Sequence, residues 1–135
     1  TDGSLNSYLV SQDNDFFLMR YSDVVLMYAE ALALMDGGNL NKACEYLNKT
    51  RTRAGLSEFS TTDKKAFIQE LADERGREFV YEGCRWYDLV RLGLAVEHFT
   101  KLGYTLDKHN LIMPIPQSQI EIYNNTDILW QNEGF

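Results

Sequence analysis

Four carboxylates lie between residues 74 and 93, and the first three have the spacing that an α-helix stacks on one face. Glu74, Glu78 and Glu82 follow one another at intervals of four, and Asp88 lies six residues further on. A glycoside hydrolase needs two carboxyl groups about 5 to 10 Å apart, one of them a general acid. Side chains four residues apart on a helix satisfy that distance, so the segment offers candidate residues for glycosidase chemistry.

Arginines alternate with these carboxylates and favour a structural interpretation over a catalytic one. Arg75 lies three residues before Glu78, and Asp88 has an arginine three residues away on either side. An arginine beside a carboxylate lowers the pKa of that carboxylate, which removes the proton that a general acid must donate. We therefore expect no catalytic residue here and predict a structural ionic network. Its members are Arg75, Glu78, Glu82, Arg85, Asp88 and Arg91.

The same segment contains large apolar residues that must pack in a core, such as Phe79 and Trp86. Their burial is expected to bury some of the neighbouring charged side chains as well. A buried charge is tolerated only when it is paired and hydrogen-bonded. Replacing Glu78 with alanine is therefore expected to destabilise the protein by about 3 kcal/mol if its partner is left buried and unpaired.

Other kinds of chemistry find little support in the sequence. His98 and His109 are the only histidines, eleven residues apart, and no serine or cysteine stands in a nucleophile motif. No metal-binding motif occurs, although Asp13, Asn14 and Asp15 could weakly gather a surface ion. We expect neither a metal nor a cofactor, and we expect the protein not to be an enzyme.

Two tryptophans are candidates for stacking on a sugar ring, which requires an exposed aromatic face beside amide, carboxylate or guanidinium groups. Trp86 shares the inward face of its helix, so we expect it to be buried. Trp130 is the better candidate because polar side chains flank it in sequence. They are Asn124, Asn125, Gln131 and Asn132. The alternative is that Trp130 anchors the C-terminal tail to the body of the protein.

The composition of the 135 residues is that of one domain with a substantial core. Hydrophobic residues make up 44% and aromatic residues 13%, which excludes a mainly disordered chain. A net charge of −7 and a pI near 4.7 argue against nucleic acid as a partner. No window of about 18 apolar residues exists, so we expect no membrane-spanning helix. The sequence leaves open whether Cys44 and Cys84 pair.

Helical periodicity begins at about Ser22 and organises residues 22–102 into two antiparallel helical hairpins. The first hairpin turns at Gly37 and Gly38, and Asn39 is the predicted N-cap of its second helix. The spacing of small and large residues on either side of the turn is typical of a tetratricopeptide repeat. They are Ala31 and Leu34 before the turn and Ala43 and Leu47 after it.

The second hairpin is predicted to join a helix capped by Thr62 or Asp63 to a fourth helix over residues 85–102. Gly83 is expected to end or bend the third helix, because glycine is a weak helix former and a common C-terminal residue. Both hairpins together predict an all-α, tetratricopeptide-like fold.

The two ends of the chain lack this periodicity. Residues 1–21 are predicted to form an irregular or extended lead-in. Residues 103–135 are predicted to form an extended C-terminal segment that packs on the helices, since the prolines of LIMPIP at 111–116 forbid a helix. One or two helical turns capped by Ser118 are expected within it.

Five motifs in this order resemble the C-terminal part of the RagB/SusD family, the starch-utilisation-type nutrient-binding lipoproteins of the Bacteroidetes outer membrane. They are RYSDVVLMYAEAL at 20–32, LNKTRTRAGL at 47–56, ERGREFVYEGCRWYDLVRLG at 74–93, PIP at 114–116 and QNEGF at 131–135. Each motif alone is weak, and the five in sequence make the resemblance specific. Gly76 departs from the family pattern, in which a larger residue is more common, so the third helix is expected to be softer there.

The resemblance implies a tetratricopeptide-containing protein on the extracellular face of the outer membrane. Its implied role is to capture oligosaccharides or other small nutrients and deliver them to a TonB-dependent porin. Family members are several times longer, which implies that this chain is a C-terminal fragment without the signal peptide and the lipid-bearing cysteine. Two alternatives from the residues alone stay open: a tetratricopeptide-type module that binds proteins or peptides, and a fragment of a helical glycosidase.

Overall fold

The computed structural model describes residues 18–135, and within that range the chain forms six α-helices and no β-strand. The helices are α1 (Tyr21–Leu34), α2 (Leu40–Arg53), α3 (Lys64–Glu78), α4 (Arg85–Arg91), α5 (Ala95–Lys101) and α6 (Gln117–Tyr123), with one 3₁₀ turn at Lys108–Leu111. The predicted all-α fold is therefore confirmed. No helix in the described range is long and apolar enough to cross a bilayer. Most of the predicted lead-in, including the residues considered for a surface ion, lies outside the described residues.

Helices α1 and α2 form a close hairpin. Asn39 caps α2, since its side chain accepts a hydrogen bond from the backbone N–H of Lys42 at 3.0 Å. Gly37 reverses the chain with a φ of 69°, a conformation that costs little in a residue without Cβ. Ala29 and Ala43 are completely buried, and small side chains at these positions let two helices pack closely, as in a tetratricopeptide repeat.

Helix α3 packs against both α1 and α2 and closes the core. Asp63 caps it, because its carboxylate accepts hydrogen bonds from the backbone N–H groups of Lys65 and Ala66 at 3.1 and 3.2 Å. Phe67 and Leu71 are fully buried on the inner face of α3. The apolar core that joins the three helices consists of Leu26, Ala29, Leu32, Ala33, Ala43, Cys44, Leu47, Phe67, Leu71 and Phe79.

The fourth helix predicted over residues 85–102 is wrong in one respect, because the structure divides it into α4 and α5. Gly93 adopts a φ of 72° and interrupts the helical backbone. The N–H of Leu94 donates to the carbonyl oxygen of Leu89 at 2.8 Å, and the N–H of Gly93 donates to that of Val90 at 3.1 Å. This pair of bonds is a Schellman motif, which ends α4 at Arg91 although the apolar periodicity continues to residue 102.

The break between α3 and α4 also begins earlier than Gly83. Helix α3 ends at Glu78, and the turn that follows contains two residues with positive φ, Tyr81 at 65° and Gly83 at 78°. Glycine adopts this conformation readily, whereas a bulky aromatic residue does so only under strain.

The run at residues 112–116 is free of helix, as its prolines require. Gln131, near the C-terminus, binds the backbone of this run with its side chain. Its side-chain amide donates to the carbonyl oxygen of Ile115 at 2.9 Å and accepts from the N–H of Ile115 at 2.8 Å. Helix α6 begins directly after Pro116, so the predicted cap at Ser118 is wrong by two residues.

Enlarging Ala29 tests the close packing of the first hairpin. We expect Ala29→Leu to lower the free energy of unfolding by about 1 to 3 kcal/mol, because a fully packed interface has no room for three more carbon atoms. Urea denaturation followed by circular dichroism measures the change. Ala31→Leu, at an exposed position of the same helix, is the matched control and should stay within about 0.5 kcal/mol of the parent. Equal effects of the two changes would contradict this packing.

Candidate functional site

The centre of the charged interior is an ion pair between Arg75 of α3 and Asp88 of α4. Arg75 is 5% exposed and Asp88 is 4% exposed, and the Nε of Arg75 donates to Oδ2 of Asp88 at 2.7 Å. Burial works against the charged form of Arg75, but its hydrogen bonds to Asp88 and Asp23 outweigh that effect and raise its pKa. The guanidinium of Arg75 is therefore stable in its charged form inside the protein, with the carboxyl group of Asp88 as its hydrogen-bond partner.

The pair extends in both directions into what we call the central ion chain, formed by Asp23, Arg75, Asp88, Arg91 and Glu30. Nη1 of Arg75 donates to Oδ1 of Asp23 at 2.7 Å. Nη2 of Arg91 donates to Oδ1 of Asp88 at 2.8 Å, and Arg91 also pairs with Glu30. Because Asp23 and Glu30 belong to α1, the chain ties α1, α3 and α4 together. Oε2 of Glu30 is buried and has no hydrogen-bond partner within residues 18–135.

A second cluster surrounds the end of α3 and centres on Arg20, just before α1. Arg20 pairs with Glu78 at 3.1 Å and with Glu82 at 2.7 Å, and its Nη2 donates to the backbone carbonyl oxygen of Glu78 at 2.7 Å. Arg53 of α2 contacts the other carboxylate oxygen of Glu78 at 2.5 Å. Burial alone would raise the pKa of Glu78, but hydrogen bonds from Ser22 and Arg20 and the charge of Arg53 outweigh it and lower the pKa.

Phe79 connects this cluster to the central ion chain. The guanidinium groups of Arg20 and Arg75 each lie 5.0 Å from the centre of its ring. A cation over an aromatic face is attracted by the ring quadrupole, and the attraction grows when the groups are desolvated. Both guanidinium groups are therefore attracted to the same buried ring.

A third cluster lies on the α2 side of α3. Glu74 is 2% exposed and contacts Arg77 at 2.9 Å and Arg51 at 3.6 Å. Glu70 pairs with Arg77 at 2.6 Å and with Arg51 as well. Two arginines and two glutamates therefore balance one another along this face.

Arg85 crosses α3 at Gly76. Its Nη1 donates to the carbonyl oxygen of Ala72, and its Nη2 lies 3.4 Å from Oδ1 of Asp73. A Cβ added to Gly76 would stand 2.7 Å from Nη1 of Arg85. The departure from the family pattern at Gly76 thus has a physical reason, since the missing side chain leaves the space that the guanidinium fills.

The six residues of the predicted ionic network fall into three separate groups. Arg75, Asp88 and Arg91 belong to the central ion chain, Glu78 and Glu82 share Arg20, and Arg85 lies with Asp73. Among the local pairs that the spacing suggested, Asp88 and Arg91 do pair. Most other contacts reach across helices, to residues that the sequence argument missed. These are Arg20, Asp23, Glu30, Arg53 and Asp73. Arg51 and Glu70 were also missed, and they pair with each other in the third cluster.

A signal for part of the missed set was present in the sequence. Asp23 and Glu30 are acidic residues inside the apolar run of α1, seven positions apart and therefore on one face. A carboxylate in an otherwise buried helix requires a partner. What the sequence could not supply was the identity of that partner, because it lies 52 to 61 residues away.

The four carboxylates considered for acid–base chemistry each contact an arginine: Glu74, Glu78, Glu82 and Asp88. In Glu78 the result is a lowered pKa, whereas a glycosidase acid needs a raised one. The geometry fits a framework that holds helices together better than it fits proton transfer.

Both cysteines are free thiols. Cys44 is buried in the apolar core, and Cys84 is partly buried at the start of α4. Burial, together with the charge of Asp88, raises the pKa of Cys84, so the thiolate that a nucleophile requires is disfavoured.

The two tryptophans lie in different environments. Trp86 is partly buried and meets Phe99 edge to face, with 5.8 Å between ring centres. Trp130 is 64% exposed, while its neighbours Gln131 and Asn132 fix the backbone through Ile115 and Met113. The hydrogen bonds that hold the tail thus come from the two residues after Trp130, and its ring stays open to solvent.

An open cleft lies between the end of α3 and the start of α4, and we call it the α3–α4 cleft. Its volume is about 780 Å³. Phe79, Val80 and Trp86 supply apolar surface, and the charged groups of Asp73, Arg77 and Arg85 line it too. Tyr81, whose side chain is fully exposed, also lines it.

The fold and these ion pairs define an all-α, tetratricopeptide-like protein whose helices are held together by paired charges. A sequence model described as the SusD family matches residues 7–135. The chain belongs to the SusD family, and the resemblance drawn from its five motifs is confirmed.

Curated relatives match over most or all of the chain. The starch-binding protein SusD of Bacteroides thetaiotaomicron is 33% identical over 150 residues, which cover 100% of this chain and 24% of that protein. SusD-like protein P2 of Formosa agariphila is 29% identical over 134 residues, which cover 90% of this chain and 26% of the relative. The chain therefore spans about a quarter of the length of these relatives.

Solved structures share the fold. A SusD superfamily protein from Parabacteroides distasonis aligns with a TM-score of 0.74 and 31% identity over 93% of this chain and 28% of its own. A laminarin-binding SusD-like protein aligns with a TM-score of 0.65 and 33% identity over 88% of this chain and 23% of its own. The tetratricopeptide-like, all-α fold is confirmed by these alignments.

Removing either Asp88 or Glu78 should reveal which ion pairs carry stability. We expect Asp88→Ala to cost about 3 to 5 kcal/mol, because it leaves the buried guanidinium of Arg75 without its partner. Glu78→Ala should cost about 1 kcal/mol. This is less than the loss expected for a fully buried partner, because the side chains of Arg20 and Arg53 are 29% and 61% exposed and can be hydrated when Glu78 is removed. Urea denaturation measures both changes, and the reverse order would contradict the assignment of the centre.

Acid should weaken the cluster around Glu78. Because the folded pKa of Glu78 is lowered, its contribution to stability is present above the unfolded value of about 4.3 and is lost as the pH falls through the folded pKa. Glu78→Gln should therefore lose less stability than the parent between about pH 5 and pH 3. Melting temperatures across this range measure the difference. Glu45→Gln, an exposed position on α2, should follow the parent, and identical curves for all three proteins would refute this role.

Proposed function

We propose that this chain is the C-terminal part of a longer lipoprotein on the extracellular face of an outer membrane, where it captures oligosaccharides and delivers them to a TonB-dependent porin. The observation that carries the proposal is the family match over residues 7–135. It is supported by a starch-binding relative that aligns with the whole chain and by a laminarin-binding structure with the same fold. We therefore propose glycans as the class of ligand.

The proposed role is capture without chemical change. The carboxylates that resemble a glycosidase pair are held by arginines, and the pKa of Glu78 is lowered instead of raised. A binding protein needs a rigid frame that presents aromatic and polar groups, and the central ion chain supplies such a frame. The attachment to the membrane, in this proposal, is a lipid anchor carried by another part of the longer protein.

Trp130 is the proposed sugar contact in the C-terminal segment. Its ring is 64% exposed, and the hydrogen bonds of Gln131 to Ile115 and of Asn132 to Met113 limit the motion of its backbone. An exposed aromatic face on a fixed support stacks on a pyranose ring at a low cost in conformational entropy.

A protein-interaction module remains the second candidate, and one observation favours it. The outer face of α1 presents large apolar side chains at helical spacing, with Tyr21 80%, Val24 46% and Tyr28 43% exposed. A helix of a partner protein packs well on such a face. The proposed porin is also a protein partner, so glycan capture and protein interaction are compatible functions.

Glycan binding by the protein, expressed at the full length that its gene encodes, tests the proposal. We expect isothermal titration calorimetry to detect binding of maltohexaose or laminarihexaose, and chromatography to recover the sugar unchanged. Trp130→Ala should weaken that binding by about tenfold through loss of stacking. Tyr104→Ala, a change at another exposed aromatic residue, is the control.

Each outcome has a distinct meaning. Binding of neither sugar argues against glycan capture, and release of reducing ends argues against a purely binding role. Unchanged affinity in the Trp130 variant removes that residue from the site and leaves the function standing.

A further inference from the structure

The α3–α4 cleft has the size and the openness of a ligand site. Its volume of about 780 Å³ lies within the range of about 300 to 1,000 Å³ that is usual for small-molecule pockets. It lies at the turn between α3 and α4, on surface that the central ion chain does not use. The ion chain fixes both helices, so the two walls of the cleft are held in place by Arg75 and Asp88.

One wall of the cleft is apolar and partly aromatic. Trp86 lines it and keeps its orientation through the edge-to-face contact with Phe99. Val80 is 55% exposed beside it. Such a surface suits the C–H faces of a sugar ring, which pack on aromatic and aliphatic groups.

The polar side of the cleft is electrically balanced. Arg77, Arg85 and Asp73 line it, and Arg77 also pairs with Glu70 and Glu74, which in turn contact Arg51. When these ion-pair partners are counted, three arginines balance three carboxylates, and the net charge of the group is zero. A ligand with a full charge gains little from such a surface, whereas a neutral ligand with many hydroxyl groups finds both donors and acceptors.

The backbone conformation of Tyr81 independently indicates a functional site at this cleft. Its φ of 65° places a bulky aromatic residue in the left-handed region, and its side chain is fully exposed at 103% of the reference area. Strain of this kind is retained where the surrounding structure enforces it, and such positions cluster at functional sites. Glycine would satisfy the same backbone without strain, so an aromatic ring here calls for an explanation beyond stability.

We propose that the α3–α4 cleft binds a segment of a neutral oligosaccharide, with a sugar ring stacked on Tyr81 and its hydroxyl groups bound by Asp73 and Arg77. This inference rests on the proposed function, since it assigns a second contact region for the same class of ligand. It assigns a glycan contact to the turn between α3 and α4, in a cleft that Trp130 does not line.

The test uses the full-length protein with maltohexaose and laminarihexaose as probes, and Tyr81→Gly as the decisive variant. Glycine removes the ring and also relieves the strained φ, so the melting temperature should equal or exceed that of the parent. The affinity for the bound sugar should nonetheless fall about fivefold to tenfold. Tyr81→Phe keeps the ring and should retain the affinity, and Tyr87→Ala, at an exposed tyrosine of α4 outside the cleft, is the matched control.

The results separate this inference from the proposed function. If the parent binds a sugar and Tyr81→Gly binds it equally well, the cleft assignment is overturned while glycan capture stands. If the parent binds neither probe, both are overturned. A lower melting temperature for Tyr81→Gly would show that the ring serves stability and would overturn the assignment. Preference for oligogalacturonate over both neutral probes would overturn the neutral class of ligand.

Discussion

The buried contact between Arg75 and Asp88 is the constraint on which the rest of the structure depends. Each charge would be intolerable alone in an apolar interior, and each makes the other acceptable. Because each also contacts a second charge, through Asp23 and Arg91, the pair fixes the relative positions of three helices at once. Hydrophobic packing alone is non-directional and would allow these helices to slide, whereas hydrogen-bonded ions permit one register.

Because the charged groups pair with one another, the main groups that stay free to contact a ligand are exposed aromatic side chains. The acidic and basic groups of α3 and α4 are engaged with one another, while exposed aromatic rings stand at Tyr81 and Trp130. A binding scaffold benefits from a rigid interior that holds its exposed aromatic rings in place, since ligand affinity is lost when the binding surface must first be ordered. The central ion chain therefore supports recognition as a frame, and none of its five residues is among the proposed ligand contacts.

Local patterns in the sequence predicted the first hairpin well and the interior in outline. The caps at Asn39 and Asp63 and the turn at Gly37 depend on neighbouring residues, so their types and spacing suffice to identify them. The break at Gly93 was missed because the apolar periodicity continues through it and gives no warning. The partners of the buried charges were missed for a different reason.

Those partners are determined by tertiary contact. A spacing of three or four residues predicts which side chains share a helix face, and it correctly pairs Asp88 with Arg91. It cannot reveal that Glu78 meets Arg20 and Arg53 from two other elements. It likewise gives no sign that Arg85 lies across Gly76, since that contact exists only because a side chain is missing.

The distance along the chain between partners has a consequence for folding. Arg20 and Glu82 are separated by 62 residues, and Glu30 and Arg91 by 61, whereas α1 and α2 meet across a turn of a few residues. Local contacts close small loops and form early, and distant ones wait for the entropy of a large loop to be overcome. During synthesis we therefore expect the first hairpin to form before the distant ion pairs, while its acidic residues are still hydrated. Arg91 must be synthesised before Glu30 can form its ion pair and the charged interior can be desolvated.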